Sequence, residues 1–133
     1  MNKYKITVFT PTYNRAYTLE RLYNDLKSQI YPRDSFEWIV VDDGSNDDTK
    51  ELVERFISED QLNINYIYKE NGGKHTAINV GVQNAKGELF FIIDSDDGVE
   101  NDSLKIAELE WDSIHDKTEF NGVVGLCAYP NGD

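Results

Sequence analysis

Basic residues run out about two-thirds of the way along this chain. Residues 87–133 hold 12 acids and only two bases, Lys105 and Lys117, whereas residues 1–86 balance 13 acids against 11 bases. The net charge is −12 over 133 residues. That argues against a generic phosphate-backbone binder, whose affinity comes from a basic face, and against docking on anionic lipid. Cysteine is nearly absent. Cys127 alone cannot form an internal disulfide, and no Cys/His group has zinc spacing. No apolar run approaches a membrane span, and Met1-Asn2-Lys3-Tyr4-Lys5 leads into no signal-peptide apolar region. A soluble protein of a reducing, cytoplasmic compartment is the reading. Repeats, low-complexity tracts and linkers are missing too. So is any glycine-rich loop after the first strand-like run, which removes the dinucleotide fingerprint and the phosphate-loop motif.

What is present is alternation. Ile6–Thr10 is a β-branched run, followed by Leu19, Leu22, Tyr23, Leu26 and Ile30 at helical spacing. Trp38–Val41 is a second buried strand, and Leu52, Val53, Phe56 and Ile57 form a second helical stripe, with Ser45 and Asp48 spaced as a capping box. Ile64–Tyr68 is a third strand, and Ala77, Ile78, Val82 and Ala85 mark a third helix. Leu89–Ile93, apolar throughout, suits a central parallel strand. Asn101 is placed to cap a helix carrying Leu104, Ala107, Trp111 and Ile114, and Val123–Tyr129 makes a fifth strand. The pattern predicts one α/β domain with a mostly parallel sheet and helices on both faces. In such open sheets ligands bind beyond the carboxyl ends of the strands.

Those ends carry distinctive residues. Strand 1 leads into Thr10-Pro11-Thr12-Tyr13-Asn14-Arg15, where Pro11 stiffens the turn and Tyr13 offers a ring to stack on a base or pack on a neighbour. Strand 2 ends in Asp42-Asp43, a repelling pair unless a cation, a donor or solvent compensates. It serves equally to bond a ligand N–H or to close the turn through Gly44-Ser45. Asn71-Gly72-Gly73 opens the third helix with Lys74 in its first turn, where a cation opposes the helix dipole. Either an anion such as phosphate answers it or it is a surface lysine. Strand 4 ends in Asp94-Ser95-Asp96-Asp97. Alternation along an extended segment lets Asp94 and Asp96 face one ligand while Asp97 turns away with Gly98. Hard oxygens of this kind suit Mg²⁺ or Mn²⁺ bridging a diphosphate. His75 and His115 read as helix-surface or packing residues, Cys127 as a small buried side chain, and Trp38 and Trp111 as core aromatics.

Together, "ITVFTPTYNR", "WIVVDDGSNDDT", "NGGKHTAINVGVQNAKGE" and "FFIIDSDD" resemble glycosyltransferase family 2, inverting enzymes of the Rossmann-like GT-A fold. The resemblance implies a three-layer α/β/α architecture and a nucleotide-diphosphate sugar donor, commonly a UDP-sugar. It implies that Pro11 and Tyr13 line the nucleoside pocket with Arg15 nearby. Asp43 would bond the base with support from Asp42, and Lys74 would approach the nucleotide. Asp94, Ser95 and Asp96 match the DxD motif toward ribose and diphosphate, with Asp96 and Asp97 as metal carboxylates for Mn²⁺ or Mg²⁺. The implied acceptor is a glycan or lipid-linked glycan in polysaccharide biosynthesis, with the parent at the inner face of a membrane. The family's general base and acceptor half come later in its sequences, so residues 1–133 are expected to form the nucleotide-sugar-binding part of a longer domain. A non-catalytic nucleotide-binding module stands as the alternative. A receiver-type signalling domain fits less well, because its acid pair follows strand 1 and here the acids follow strands 2 and 4.

Overall fold

A computed structural model describes residues 3–113 in full and Gly125–Cys127 as backbone. The chain alternates strictly: β1 Tyr4–Thr12, α1 Ala16–Lys27, a 3-10 turn Arg33–Ser35, β2 Phe36–Asp42, α2 Thr49–Ser58, β3 Ile64–Tyr68, α3 Lys74–Asn84, β4 Gly87–Ile92, α4 Ser103–Asp112 and β5 Gly125–Cys127. The strands form one sheet in the order β3-β2-β1-β4-β5, and every neighbouring pair is parallel. The chain therefore winds outward through β2 and β3, then returns across β1 to β4. β1 and β4 flank the point where the order reverses.

The two faces of the sheet are unequal. Alternate residues Ile6 and Val8 of β1, Phe36, Trp38 and Val40 of β2, and Leu89 and Phe91 of β4 pack under α1, α2 and α4 in the larger core. Phe9, Ile39, Val41 and Phe90 face the other way and meet Ala77 of α3 in a smaller one. A strand buried on both faces reads as a continuous apolar run, which is why β1, β2 and β4 were legible.

Several local expectations are corrected. Ile30 is 66% exposed and lies past the end of α1; Pro32 disfavours helix in the residue before it, and the Ile30 N–H donates to the Asn101 carbonyl instead. The capping box does not form. α2 starts at Thr49, the Thr49 N–H donates to Asp47 Oδ1 at 3.1 Å, and the Ser45 hydroxyl accepts from the Asn14 N–H at 2.8 Å. Asp102, not Asn101, precedes α4. Ile114, His115 and the ends of the expected fifth strand lie outside the described residues.

Asp47 joins two loops. Its carboxylate accepts from Thr49 Oγ1 at 2.5 Å and from the Ala16 N–H at 3.2 Å, placing negative charge at the positive end of α1. Burial pushes this carboxyl up, but the bonds from Thr49 and Ala16 outweigh it and hold it below the usual range. A depressed carboxylate contributes stability above its unfolded pKa of about 3.9. That contribution is lost as pH falls through the lower folded value. Asp47→Ala is therefore expected to be less stable than the parent at neutral pH. The gap should close as denaturant melts are taken below about pH 4; a gap independent of pH would remove the carboxylate from the account.

Candidate functional site

β1 and β4 part company at the carboxyl end of the sheet. Their pairing stops at Phe9 and Ile92, with one more bond from the Ile93 N–H to the Phe9 carbonyl. β1 continues against β2 as far as Thr12 opposite Asp42. Pro11 sits in that extension, where β1 has lost its β4 neighbour and a missing N–H disturbs no ladder there. The parting leaves a cleft of about 440 Å³ lined by Pro11, Thr12, Tyr13, Arg15, Asp43, Lys74, Ala77, Asp94, Ser95 and Asp96. Seven of the predicted site residues thus share one cleft with Asp96, a predicted metal ligand. They come from four strand ends.

Asp42 and Asp97 are not on its wall. Asp42 is 1% exposed. Its Oδ1 accepts from the Ser45 N–H at 2.8 Å and its Oδ2 from the Tyr66 hydroxyl at 2.5 Å. Both oxygens close the β2 turn and tie it to β3, away from the cleft. Burial, and then the bond to Asp42, push the Tyr66 phenol well above its ordinary pKa. Asp97 turns behind the wall through its N–H to the Asp94 carbonyl, 3.0 Å. Burial and then the charges of Asp94 and Asp96 raise its carboxyl above the usual range.

Asp43 is the hub of the site. Only 6% exposed, it accepts from Lys69 Nζ at 2.7 Å, from the N–H groups of Gly72 and Gly73 at 3.0 Å each, and from Asn71 Nδ2 at 3.5 Å. Burial pushes the carboxyl up, but Lys69 and the two N–H groups win and hold it below the usual range. The carboxylate therefore shapes the turn that opens α3. Gly73 takes φ +99° there, and Gly44 takes φ +90° where a Cβ would stand 2.8 Å from the Asn71 backbone nitrogen. Both positions favour glycine.

Sequence reading missed Lys69, Tyr66, Asn14 and Asp47. Lys69 and Tyr66 become visible only through the β2–β3 register, which sets Asp42 opposite Tyr68. Asn14, at φ +52°, receives the Asn46 N–H at 2.8 Å and clasps the β2–α2 loop.

The acidic end of β4 already faces cations. Lys74 Nζ is 2.9 Å from Asp94 Oδ1, and Arg15 Nη1 is 3.3 Å from Asp96 Oδ2. Asp94 Oδ1 is buried and accepts no hydrogen bond, so the Lys74 contact is one of charge. No group of three His, Cys, Asp or Glu able to hold a metal occurs among the described residues. The donor set still fits a hard cation of the magnesium type, which takes one or two carboxylates and completes its shell with water and substrate phosphate.

Comparison with known proteins agrees with this fold. The family model Glycosyl transferase family 2 matches residues 7–114. The poly(ribitol-phosphate) beta-N-acetylglucosaminyltransferase TarS of Staphylococcus aureus is 35% identical over 111 residues, covering 84% of this chain and 19% of TarS. Residues 1–349 of TarS in complex with UDP-GlcNAc superpose with a TM-score of 0.75 at 36% identity, covering 84% of this chain and 32% of that one. The mannosyltransferase PcManGT of Pyrobaculum calidifontis, in complex with GDP-Man and Mn²⁺, superposes with a TM-score of 0.78 at 33% identity, covering 84% and 33%. The chain thus spans a fifth to a third of the length of these relatives. Among the described residues no helix is long and apolar enough to cross a membrane.

Proposed function

This chain belongs to glycosyl transferase family 2, and from that membership we propose that it binds a nucleotide-diphosphate sugar, specifically a UDP-sugar, in the cleft between β1 and β4. The bound sugar is transferred with inversion to an acceptor hydroxyl. The observation that carries the reading is the convergence on one cleft of an aromatic ring, the Asp43 carboxylate, two cations and an acid pair. The UDP-GlcNAc complex of TarS supports uridine as the base, and the Mn²⁺ of PcManGT supports a divalent metal.

Each residue then has a task. Tyr13, 46% exposed, stacks on the base, with Pro11 as the rigid wall beside it. Asp43 receives a base N–H on Oδ2 in place of its longest bond, the one from Asn71. Asp94 and Ser95 meet the ribose, and Arg15 and Lys74 meet the diphosphate. Asp96, with Asp94 beside it, holds Mn²⁺ or Mg²⁺; Asp97 stands behind as a further negative charge. When bound, the metal neutralises charge growing on the leaving diphosphate. The reaction also needs a base to take the acceptor proton. We assign that base and the acceptor site to sequence outside residues 1–133, which in this reading form the donor-binding part. The acceptor is a glycan or lipid-linked glycan, in line with the polymer in the name of TarS.

Calorimetry with UDP and Mn²⁺ tests the assignment. Asp96→Ala is expected to weaken metal-dependent UDP binding by about tenfold or more, the loss of one charged ligand contact. Parent-like affinity in that variant would remove the acid pair from metal binding.

A further inference from the structure

A second cavity, of about 440 Å³, opens at the amino ends of the strands, opposite the donor cleft. Its walls include Tyr4, Glu37, Asp60, Asn63, Asn65 and Lys86. Tyr4 begins β1, Asn65 is the second residue of β3, and Lys86 immediately precedes β4. Glu37, the second residue of β2, is 5% exposed. A carboxylate so buried needs compensating partners. Oε2 has them: the Thr7 hydroxyl and the Lys86 N–H each donate to it at 2.6 Å, and the Gly87 N–H donates to Thr7 Oγ1 at 2.8 Å. These bonds hold the α3–β4 turn with one oxygen. Oε1 accepts no hydrogen bond among the described residues, yet it is not sealed from solvent. Its opening is the cavity.

The surroundings are rich in acceptors. Asn63 commits Nδ2 to the Arg33 and Phe36 carbonyls, which leaves Oδ1 to accept. Asn65 makes no side-chain hydrogen bond among the described residues. It stands beside Ile39, on the same face of the sheet as Glu37. α3 ends at Asn84, two residues before Lys86, with no basic residue in its last turn. The negative end of its dipole favours a cation there. No group of three His, Cys, Asp or Glu able to hold a metal occurs among the described residues. The match is therefore a cation that brings several N–H donors.

We propose that this cavity binds a small organic cation through an ammonium or guanidinium group, whose charge meets Glu37 Oε1 and whose remaining N–H groups meet the amide oxygens of Asn63 and Asn65. The site is independent of the donor-binding reading. Its volume lies in the range of pockets that enclose small molecules. Lys86 serves it through its backbone N–H. The residue is exposed, and so long a side chain keeps its ammonium in water. That ammonium repels the ligand, which gives the test a second sign.

The probe is agmatine, which carries one ammonium and one guanidinium, with tetramethylammonium as a cation without N–H. Nitrogen–proton NMR titration of the full chain should show saturable agmatine shifts at the Lys86 and Gly87 amides and none from tetramethylammonium. Glu37→Gln keeps the turn, because its amide oxygen accepts from Thr7 and Lys86 while its NH₂ takes the place of Oε1. It should weaken agmatine about tenfold, the loss of a charged hydrogen bond. Lys86→Met, which keeps the backbone N–H, should tighten agmatine about threefold, as removal of an exposed like charge does. Parent-like affinity in folded Glu37→Gln would overturn the proposal. So would weaker binding in Lys86→Met, equal shifts from tetramethylammonium, or no saturable agmatine binding by the parent. Should Glu37→Gln not fold, Asn65→Leu is expected to weaken agmatine about threefold, the loss of one neutral hydrogen bond, and unchanged affinity there would overturn it equally. Saturating UDP and Mn²⁺ should leave agmatine affinity unchanged; competition would put agmatine in the donor cleft and end the proposal.

Discussion

Asp43→Ala is expected to remove about 3–5 kcal/mol of folding stability, the cost of breaking a buried pair from one side. The same change should abolish nucleotide binding. Lys69 Nζ is 2.7 Å from the carboxylate, and the pair is largely withdrawn from solvent, with side-chain exposures of 18% and 9%. Truncation leaves an ammonium with one carbonyl partner, Glu70 O at 2.6 Å, and strands the N–H groups of Gly72 and Gly73. The β3–α3 turn then loses what holds it to β2. Urea unfolding measures the stability term, and Lys69→Met added to Asp43→Ala should recover part of the loss by removing the stranded charge. A loss under about 1 kcal/mol, the worth of one ordinary hydrogen bond, would show that the turn is held by other means.

Trp38→Ala should cost a similar amount, about 3–5 kcal/mol for a large aromatic truncated in a core, through a different cause. Trp38 is fully buried. Its ring stacks on Tyr23 and Phe56, each with centroids 6.4 Å away, and its indole N–H donates to Thr10 Oγ1 at 2.9 Å. Alanine would leave a cavity under α1 and α2 and strand a buried hydroxyl. Nucleotide affinity, measured at a temperature where the variant is folded, should stay near that of the parent, because Trp38 faces the larger core and not the cleft. A melt shifted by less than about 1 kcal/mol would mean that α1 and α2 collapse onto the gap, which is the circumstance that lowers such costs.

These two residues also mark what the sequence could and could not disclose. Trp38 was readable as core because β2 is apolar on both faces and its neighbours say so. Asp43 was readable as a site residue from its place at a strand end, but its principal partner was not. Lys69 meets it only because β3 pairs with β2 in one particular register, and nothing in "NINYIYKEN" states that register. Asp42 illustrates the same limit from the other side. Two adjacent acids look alike in a sequence, while the pleat sends one into the turn and Tyr66 and the other toward the glycine turn. The fold class was legible because alternation and burial are local properties. The strand order, the side of the sheet that each helix covers and the pairing of Arg15 with Asp96 are long-range outcomes. The sequence carries them only jointly.

The splaying of β1 from β4 has a bearing on how the molecule comes together. The two strands are joined across a long stretch of chain; the Gly87 N–H, for example, donates to Thr7 Oγ1 over 80 residues. Closing a loop of that size costs entropy that is recovered only when the distant contacts form. The cleft is the far end of this pairing, so it has no existence in a partly assembled sheet and no single loop contains it. Occupancy of the cleft is thereby linked to the topology of the domain: a ligand held there draws the population toward the state in which the long-range β1–β4 pair is closed.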